Sequence, residues 1–297
     1  MRPILALCAS TPDVPLLAPV LSCYQAQQIL DAHTTGEKSV STSLDLGLSQ
    51  VVLSLAADSI QMPDGSWLPL AGLQEITANE LACYVVKNGA LRRIEIFSEA
   101  FDRYYSLMPT PGAPTMLISG IPMHRIKGTD PYRDTLSKIK AAAPVVGQVL
   151  DTTMGLGYTA IEAARTADHV TTIELDPAVL DICRQNPWSV SLFDNPRITR
   201  LIGDAYEVVA DFDDETFTRI IHDPPMFSLA GHLYSGAFYE QLYRLLRPSG
   251  RVFHYIGDPA SRSGRNTTRG VIRRLKESGF RRVVSRPEAF GVVAYKS

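Results

Sequence analysis

Val149-Leu150-Asp151-Thr152-Thr153-Met154-Gly155-Leu156-Gly157-Tyr158-Thr159-Ala160 sets two glycines between an apolar run that reads as a strand and a stretch of helical periodicity. Glycines let the backbone approach a ligand closely, and the helix N-terminus behind them favours polar or anionic groups. A G-x-G-x-x-A turn alone is a weak signal. The order of residues after it strengthens it. Glu174 closes the next apolar run, where an acidic side chain accepts hydrogen bonds from both hydroxyls of a ribose. Asp204, in Ile202-Gly203-Asp204-Ala205, follows the third strand and lies within reach of an adenine amino group, with Ala205 beside it. Asp223-Pro224-Pro225 follows the fourth. Ligands of open α/β sheets bind outside the carboxyl ends of the strands, and all four acids fall there.

The segment from Thr129 to the C-terminus alternates strands with helices, which predicts an α/β fold with a mostly parallel sheet covered on both faces. Asp130-Pro131 opens a helix to about Ala143, because Asp caps well and proline suits the first helical position. Further strands fall at Val145 to Leu150, Val170 to Ile173, Ile198 to Ile202, Phe217 to Ile221 and Arg251 to Ile256. Helices fall between them, and another spans Thr267 to Ser278, ending at Gly279. The closing strands, Phe280 to Ser285 and Phe290 to Tyr295, are too close for a helical crossover and should pair antiparallel.

Residues 1–128 have a different texture and read as a smaller β-rich N-terminal domain with a role in substrate recognition. Leu16 to Ala32 suggests one helix. Asp64-Gly65 and Asn88-Gly89 mark the turns of two hairpins, within Ile60 to Leu68 and Cys83 to Ile96. Residues 129–297 form the second domain.

The glycine turn and the ordered acids resemble the class I S-adenosylmethionine-dependent methyltransferases, over roughly residues 129 to 297. The resemblance implies a Rossmann-like sheet of seven strands in the order 3-2-1-4-5-7-6, the last one antiparallel. It places Asp151 by the methionine end of the cofactor, Gly155 and Gly157 beneath it, Glu174 at the ribose and Asp204 at the adenine. Ile221-His222-Asp223-Pro224-Pro225-Met226-Phe227 resembles the [DN]-P-P-[YF] motif of methyltransferases acting on amino nitrogens, with Met226 at the aromatic position and Phe227 one place late. Two prolines stiffen the turn, so that a carboxylate and a backbone carbonyl can orient the acceptor nitrogen. Asp223, Pro224 and His222 are the candidate catalytic residues, and Phe227, Tyr234 and His254 the candidate substrate-binding ones. His222-Asp223-Pro224-Pro225, Leu246-Arg247-Pro248-Ser249-Gly250-Arg251 and Phe253-His254-Tyr255-Ile256-Gly257 also resemble predicted archaeal-type methyltransferases related to spermidine synthases.

Composition bounds the rest. With 297 residues, 45% hydrophobic and 20% charged, the chain suits a two-domain globular protein. No apolar run approaches the length of a membrane span, and prolines interrupt any leader reading of Met1 to Ala9, so a cytoplasmic protein with no membrane partner is expected. Cys8, Cys23, Cys83 and Cys183 form no C-x-x-C pair, and no metal site is expected. Net charge is −2, which gives no global attraction to nucleic acid, yet Arg262, Arg265, Arg269, Arg273, Arg274, Lys276, Arg281, Arg282 and Arg286 crowd the last quarter. An edge strand or the β-rich region offers a homodimer interface. Three functions compete: methyl transfer from S-adenosylmethionine to an amino nitrogen of an RNA or small-molecule acceptor, aminopropyl transfer from decarboxylated S-adenosylmethionine as in spermidine synthases, and a non-catalytic cofactor-binding module.

Overall fold

The computed structural model describes the backbone of Leu5–Ala6 and residues 18–297, without the side chains of Arg262 and Ser263. Cys8, most of the leader-like stretch and the first two residues of the helix expected from Leu16 lie outside the described residues. The chain divides into two compact units: residues 133–177 and 195–297 with strand Leu5–Ala6, and residues 18–132 with 178–194. This division departs from the expected one at residue 128: the boundary lies at 132/133, strand Leu5–Ala6 joins the larger unit, and one later segment joins the smaller. Residues 178–194 cluster with the N-terminal ones, because helix Ala178–Cys183 packs on strands Glu95–Ser98 and Arg103–Met108. The Trp188 indole N–H also donates to the Leu46 carbonyl at 3.2 Å.

The larger unit carries one sheet of β1 (Leu5–Ala6), β2 (Gln148–Asp151), β3 (His169–Glu174), β4 (Ile198–Ile202), β5 (Phe217–His222), β6 (Leu246–Tyr255), β7 (Arg282–Arg286) and β8 (Gly291–Tyr295). The spatial order is β1-β4-β3-β2-β5-β6-β8-β7. Strands β2 to β6 pair in parallel, and β8 runs antiparallel to both neighbours. This is the seven-strand order expected, with the short β1 added antiparallel at the β4 edge. Only a 3-10 turn, Pro287–Ala289, and Phe290 separate β7 from β8, too little chain for a parallel crossover.

Five helices matter for the site: α1 (Pro131–Ala142), α2 (Tyr158–Ala163), α3 (Ala205–Val208), α4 (Gly236–Leu245) and α5 (Arg262–Glu277). Phe238, Leu242 and Leu245 recur on one face of α4 and are fully buried in the same cluster as Ile220 and Val252 of the sheet. Each such side chain contributes roughly 1.5–3 kcal/mol by leaving water, which fixes β5 and β6, the strands that carry the Asp-Pro-Pro turn and His254.

The smaller unit is β-rich, with four small sheets. Both expected hairpins form, Ser59–Gln61 with Trp67–Pro69 and Tyr84–Lys87 with Ala90–Arg93. Asn88 and Gly89 both have positive φ, as a twist-matched two-residue turn requires. The helix expected from Leu16 starts later, at Cys23, and runs to Thr34. Val20–Leu21 is instead a strand paired with Tyr84–Val85, since Pro19 cannot sit inside a helix. Ser22 caps the helix, its N–H and hydroxyl both donating to Gln25 Oε1 at 3.1 and 2.6 Å. A further helix not expected from the periodicity, Leu70–Thr77, buries Leu73 and Ile76. Among the described residues no helix is long and apolar enough to cross a membrane.

Candidate active site

The turn after β2 is pinned from both sides. Thr152 N–H donates to the Ile221 carbonyl of β5 at 3.0 Å, and Met154 N–H to the Ile173 carbonyl of β3 at 2.7 Å. Gly155 and Gly157 take φ of 52° and 77°, left-handed values that cost most side chains about 1–2 kcal/mol. Space is open where a Cβ of Gly155 would point. Gly155 N–H donates to Glu174 Oε2 at 3.0 Å and Asp176 N–H to Glu174 Oε1 at 3.1 Å. Each carboxylate oxygen has two lone pairs, so each keeps one acceptor site. Burial pushes the Glu174 carboxyl up to about 7, against those two bonds.

Asp151 is fully buried at the end of β2. Its Oδ2 accepts from the Thr172 hydroxyl at 2.7 Å and the Thr159 hydroxyl at 3.3 Å, while Oδ1 is buried with no hydrogen-bond partner among the described residues. Burial, with a further push from the Asp223 and Glu174 charges, lifts this carboxyl to about 7 despite the two hydroxyls. Asp204 caps α3, accepting from Tyr206 N–H at 2.8 Å, and lies 3.1 Å from His232 Nε2. Ala205 is the buried first residue of that helix.

Asp223 sits just past the end of β5. Its carbonyl accepts from the Thr153 hydroxyl at 2.7 Å, and the Pro225 carbonyl accepts from Tyr234 Oη at 3.0 Å. The intervening Pro224 carbonyl carries no hydrogen bond among the described residues. Asp223 Oδ2 meets Lys138 Nζ of α1 at 2.6 Å; the same ammonium is 2.9 Å from Asp134 and 4.5 Å from the centre of the Tyr255 ring. Lys138 is 3% exposed. Burial alone would favour its neutral form, but the two carboxylates outweigh it and hold its pKa above the ordinary lysine value. Asp134 and Lys138 are an i,i+4 pair legible in the sequence; their meeting with a residue 85 positions away is not.

The two histidines, candidates for catalysis and substrate binding, lie in the core beneath the site. His222 and His254 are both fully buried, ring centroids 4.3 Å apart, on neighbouring strands in register. His222 Nε2 lies 3.0 Å from the Leu233 carbonyl, which only accepts, so this nitrogen carries the proton and Nδ1 accepts from the Thr152 hydroxyl at 2.7 Å. Burial pushes the imidazole down to about 3. His254 Nε2 pairs with Tyr239 Oη at 2.8 Å, and burial together with the neighbouring His222 holds it well below the usual range. Both rings set the position of β5 and β6 beneath Asp223. Tyr234 is buried as well. Phe227 is 55% exposed and Met226 50%, so the aromatic residue of the turn does face solvent. Among the described residues no group of His, Cys, Asp and Glu could hold a metal ion.

In the order β4-β3-β2-β5, Asp204, Glu174, Asp151 and Asp223 thus follow four adjacent parallel strands at their carboxyl ends. At about 4.8 Å per strand the row spans ~14 Å. Residues 145–262 match the spermine/spermidine synthase domain, so this part of the chain is spermidine-synthase-like, on a Rossmann-like sheet. The chain as a whole belongs to the family of uncharacterized protein MJ1233 of Methanocaldococcus jannaschii, with which it is 42% identical over 279 residues, 91% of this chain and 93% of that one. Putrescine N-methyltransferase 2 of Nicotiana tabacum is 28% identical over 142 residues, 46% of this chain and 40% of that protein. A spermidine synthase solved with the transition state analogue AdoDATO superposes with a TM-score of 0.56 at 21% identity, covering 71% of this chain and 77% of that one, and so shares the fold.

Proposed function

We propose that this protein transfers a methyl group from S-adenosylmethionine to an amino nitrogen of an RNA or small-molecule acceptor. The row of four acids beside an open glycine turn carries this reading. The residues fit the cofactor: Gly155 leaves open space, Glu174 keeps one lone pair on each oxygen for the two ribose hydroxyls, and the orphaned Asp151 Oδ1 wants a donor. Asp204 supports an adenine amino group at the other end of the row. When bound, the cofactor supplies an electrophilic methyl on a sulfonium. The chain's task is alignment: Asp223 and the unengaged Pro224 carbonyl accept hydrogen bonds from the acceptor nitrogen, presenting its lone pair, and Phe227 borders the approach.

Aminopropyl transfer is favoured by the matched domain. Against it stands the shortage of carboxylates for a polyammonium acceptor: Lys138 holds Asp223 Oδ2, which leaves Oδ1 alone to meet an ammonium. No acid follows Asp223 until Glu240 to bind a second ammonium.

Isothermal titration with S-adenosylmethionine, S-adenosylhomocysteine and decarboxylated S-adenosylmethionine separates these readings. The first two should bind, with roughly tenfold or greater losses in Asp204→Ala and Glu174→Ala, as for a charge-assisted hydrogen bond of about 1.5–3 kcal/mol. Preference for the decarboxylated form would establish the aminopropyl reading, and no binding of any of the three would overturn both.

A further inference from the structure

The charge of this chain is unevenly placed. Residues 262–286 hold nine of the 29 Lys and Arg residues and one of the 31 Asp and Glu residues. At 3.6 residues per turn, Arg265, Arg269, Arg273 and Lys276 of α5 fall within roughly 80° of arc, about one turn apart along the axis, and all four are exposed. Arg281 and Arg282 continue the exposed basic run past the helix end. Glu277, 3.8 Å from Arg273, is the acid that answers it.

A basic amphipathic helix can lie on an anionic membrane only if its apolar face is free to insert. Here that face is spent: Val271 and Leu275 are fully buried in the core with Phe280. What the helix presents outward is charge alone, at a repeat of ~6 Å, suited to a flexible chain of phosphates. Its position also matters. His222 of β5 is in register with His254 of β6, so Asp223 and Tyr255 sit at one level. Only residues 256–261 separate Tyr255 from the start of α5, a reach of at most ~25 Å. The stripe therefore follows, by one short connection, the strand that ends beside Asp223, and Phe227, four residues past Asp223, is exposed and offers a ring on which a base can stack.

We propose that the exposed face of α5 binds the phosphodiester backbone of a single-stranded nucleic acid and leads one nucleotide to Asp223. The binding stands on the stripe itself; that the strand is the methyl acceptor rests on the function proposed above.

The test is fluorescence anisotropy of the full chain with labelled single-stranded RNA and DNA of mixed sequence and with anionic phosphatidylserine vesicles, without cofactor. With about five phosphate contacts, affinity should fall about 100-fold from about 50 to about 200 mM salt. Arg265→Glu/Arg269→Glu/Arg273→Glu should weaken binding at least tenfold while leaving S-adenosylmethionine titration and thermal unfolding unchanged, which separates failure of this proposal from failure of the cofactor reading. Phe227→Ala should weaken binding severalfold with an unaltered salt slope. Tighter binding of RNA than of DNA would name RNA as the strand, and the reverse would name DNA. Absence of nucleic acid binding, binding indifferent to the triple substitution, or preference for vesicles would each overturn the proposal.

Discussion

At the residue scale, the Lys138 ammonium decides most of the electrostatics around Asp223. It faces two carboxylates at 2.6 and 2.9 Å from an almost fully buried position. Replacing it by an isosteric apolar chain leaves Asp134 and Asp223 close together without compensation. Lys138→Met should therefore lower stability by about 3 kcal/mol, the usual cost of stranding a buried charge. Adding Asp134→Asn should restore part of the loss. Urea denaturation of the single and double variants checks this, and a Lys138→Met protein as stable as the parent would mean that the pair contributes nothing. The Asp-Pro-Pro turn and the Asp134/Lys138 helical pair were each legible in the sequence. Their meeting was not, because helical spacing dictates which side chains share a face and says nothing about the strand that face meets.

At the scale of elements, the turn between β2 and α2 is the piece whose geometry most directly serves binding. Gly155→Ala meets no neighbouring atom, so its structural cost is the strained left-handed backbone, about 1 kcal/mol. The new methyl group projects into the open space proposed for the cofactor. S-adenosylmethionine affinity should accordingly fall at least tenfold while thermal stability falls only slightly. Gly291→Ala in β8 provides the contrast, since its Cβ would lie 2.4 Å from the His254 carbonyl oxygen. That variant should lose stability foremost. Equal cofactor loss in the two would refute the placement of the ligand over Gly155. The strand and helix order of this unit followed from periodicity, and the place of the glycine turn from the motif. Helix Leu70–Thr77 escaped because eight residues carry too little periodic signal. The strand Val20–Leu21 escaped because its pairing partner lies more than 60 residues away.

At the scale of the whole molecule, Asp151 and Glu174 are both pushed up to about 7 by burial. Their unfolded values are the ordinary 3.8 and 4.5, so between those values and about 7 the folded protein holds protons that the unfolded chain has released. Stability of the free protein should therefore be greatest below about pH 3.8 as far as these two groups are concerned, and decline as pH rises to about 7, by ~1.4 kcal/mol per pH unit for each group between its two values. Hydrogen bonds donated by ribose hydroxyls favour the ionised Glu174, so cofactor binding should release protons and tighten as pH rises from about 5 to about 7. Titration calorimetry in two buffers of different ionisation enthalpy measures that release. Glu174→Gln should abolish its share; a pH-independent affinity in the parent protein would show that Glu174 does not hold the ligand. The buried His222, neutral down to about 3, should leave no mark on the profile in this range.

The α/β class, the strand order through its resemblance, the glycine turn and the four acids at the strand ends were legible before folding was considered, since each is a local pattern of periodicity or a short motif read in order. Packing brought Lys138 to one oxygen of Asp223, sealed His222 and His254 beneath the site, and clustered residues 178–194 with the N-terminal unit. Those outcomes depend on which distant surfaces exclude water together, a property of the packed chain and of no single segment.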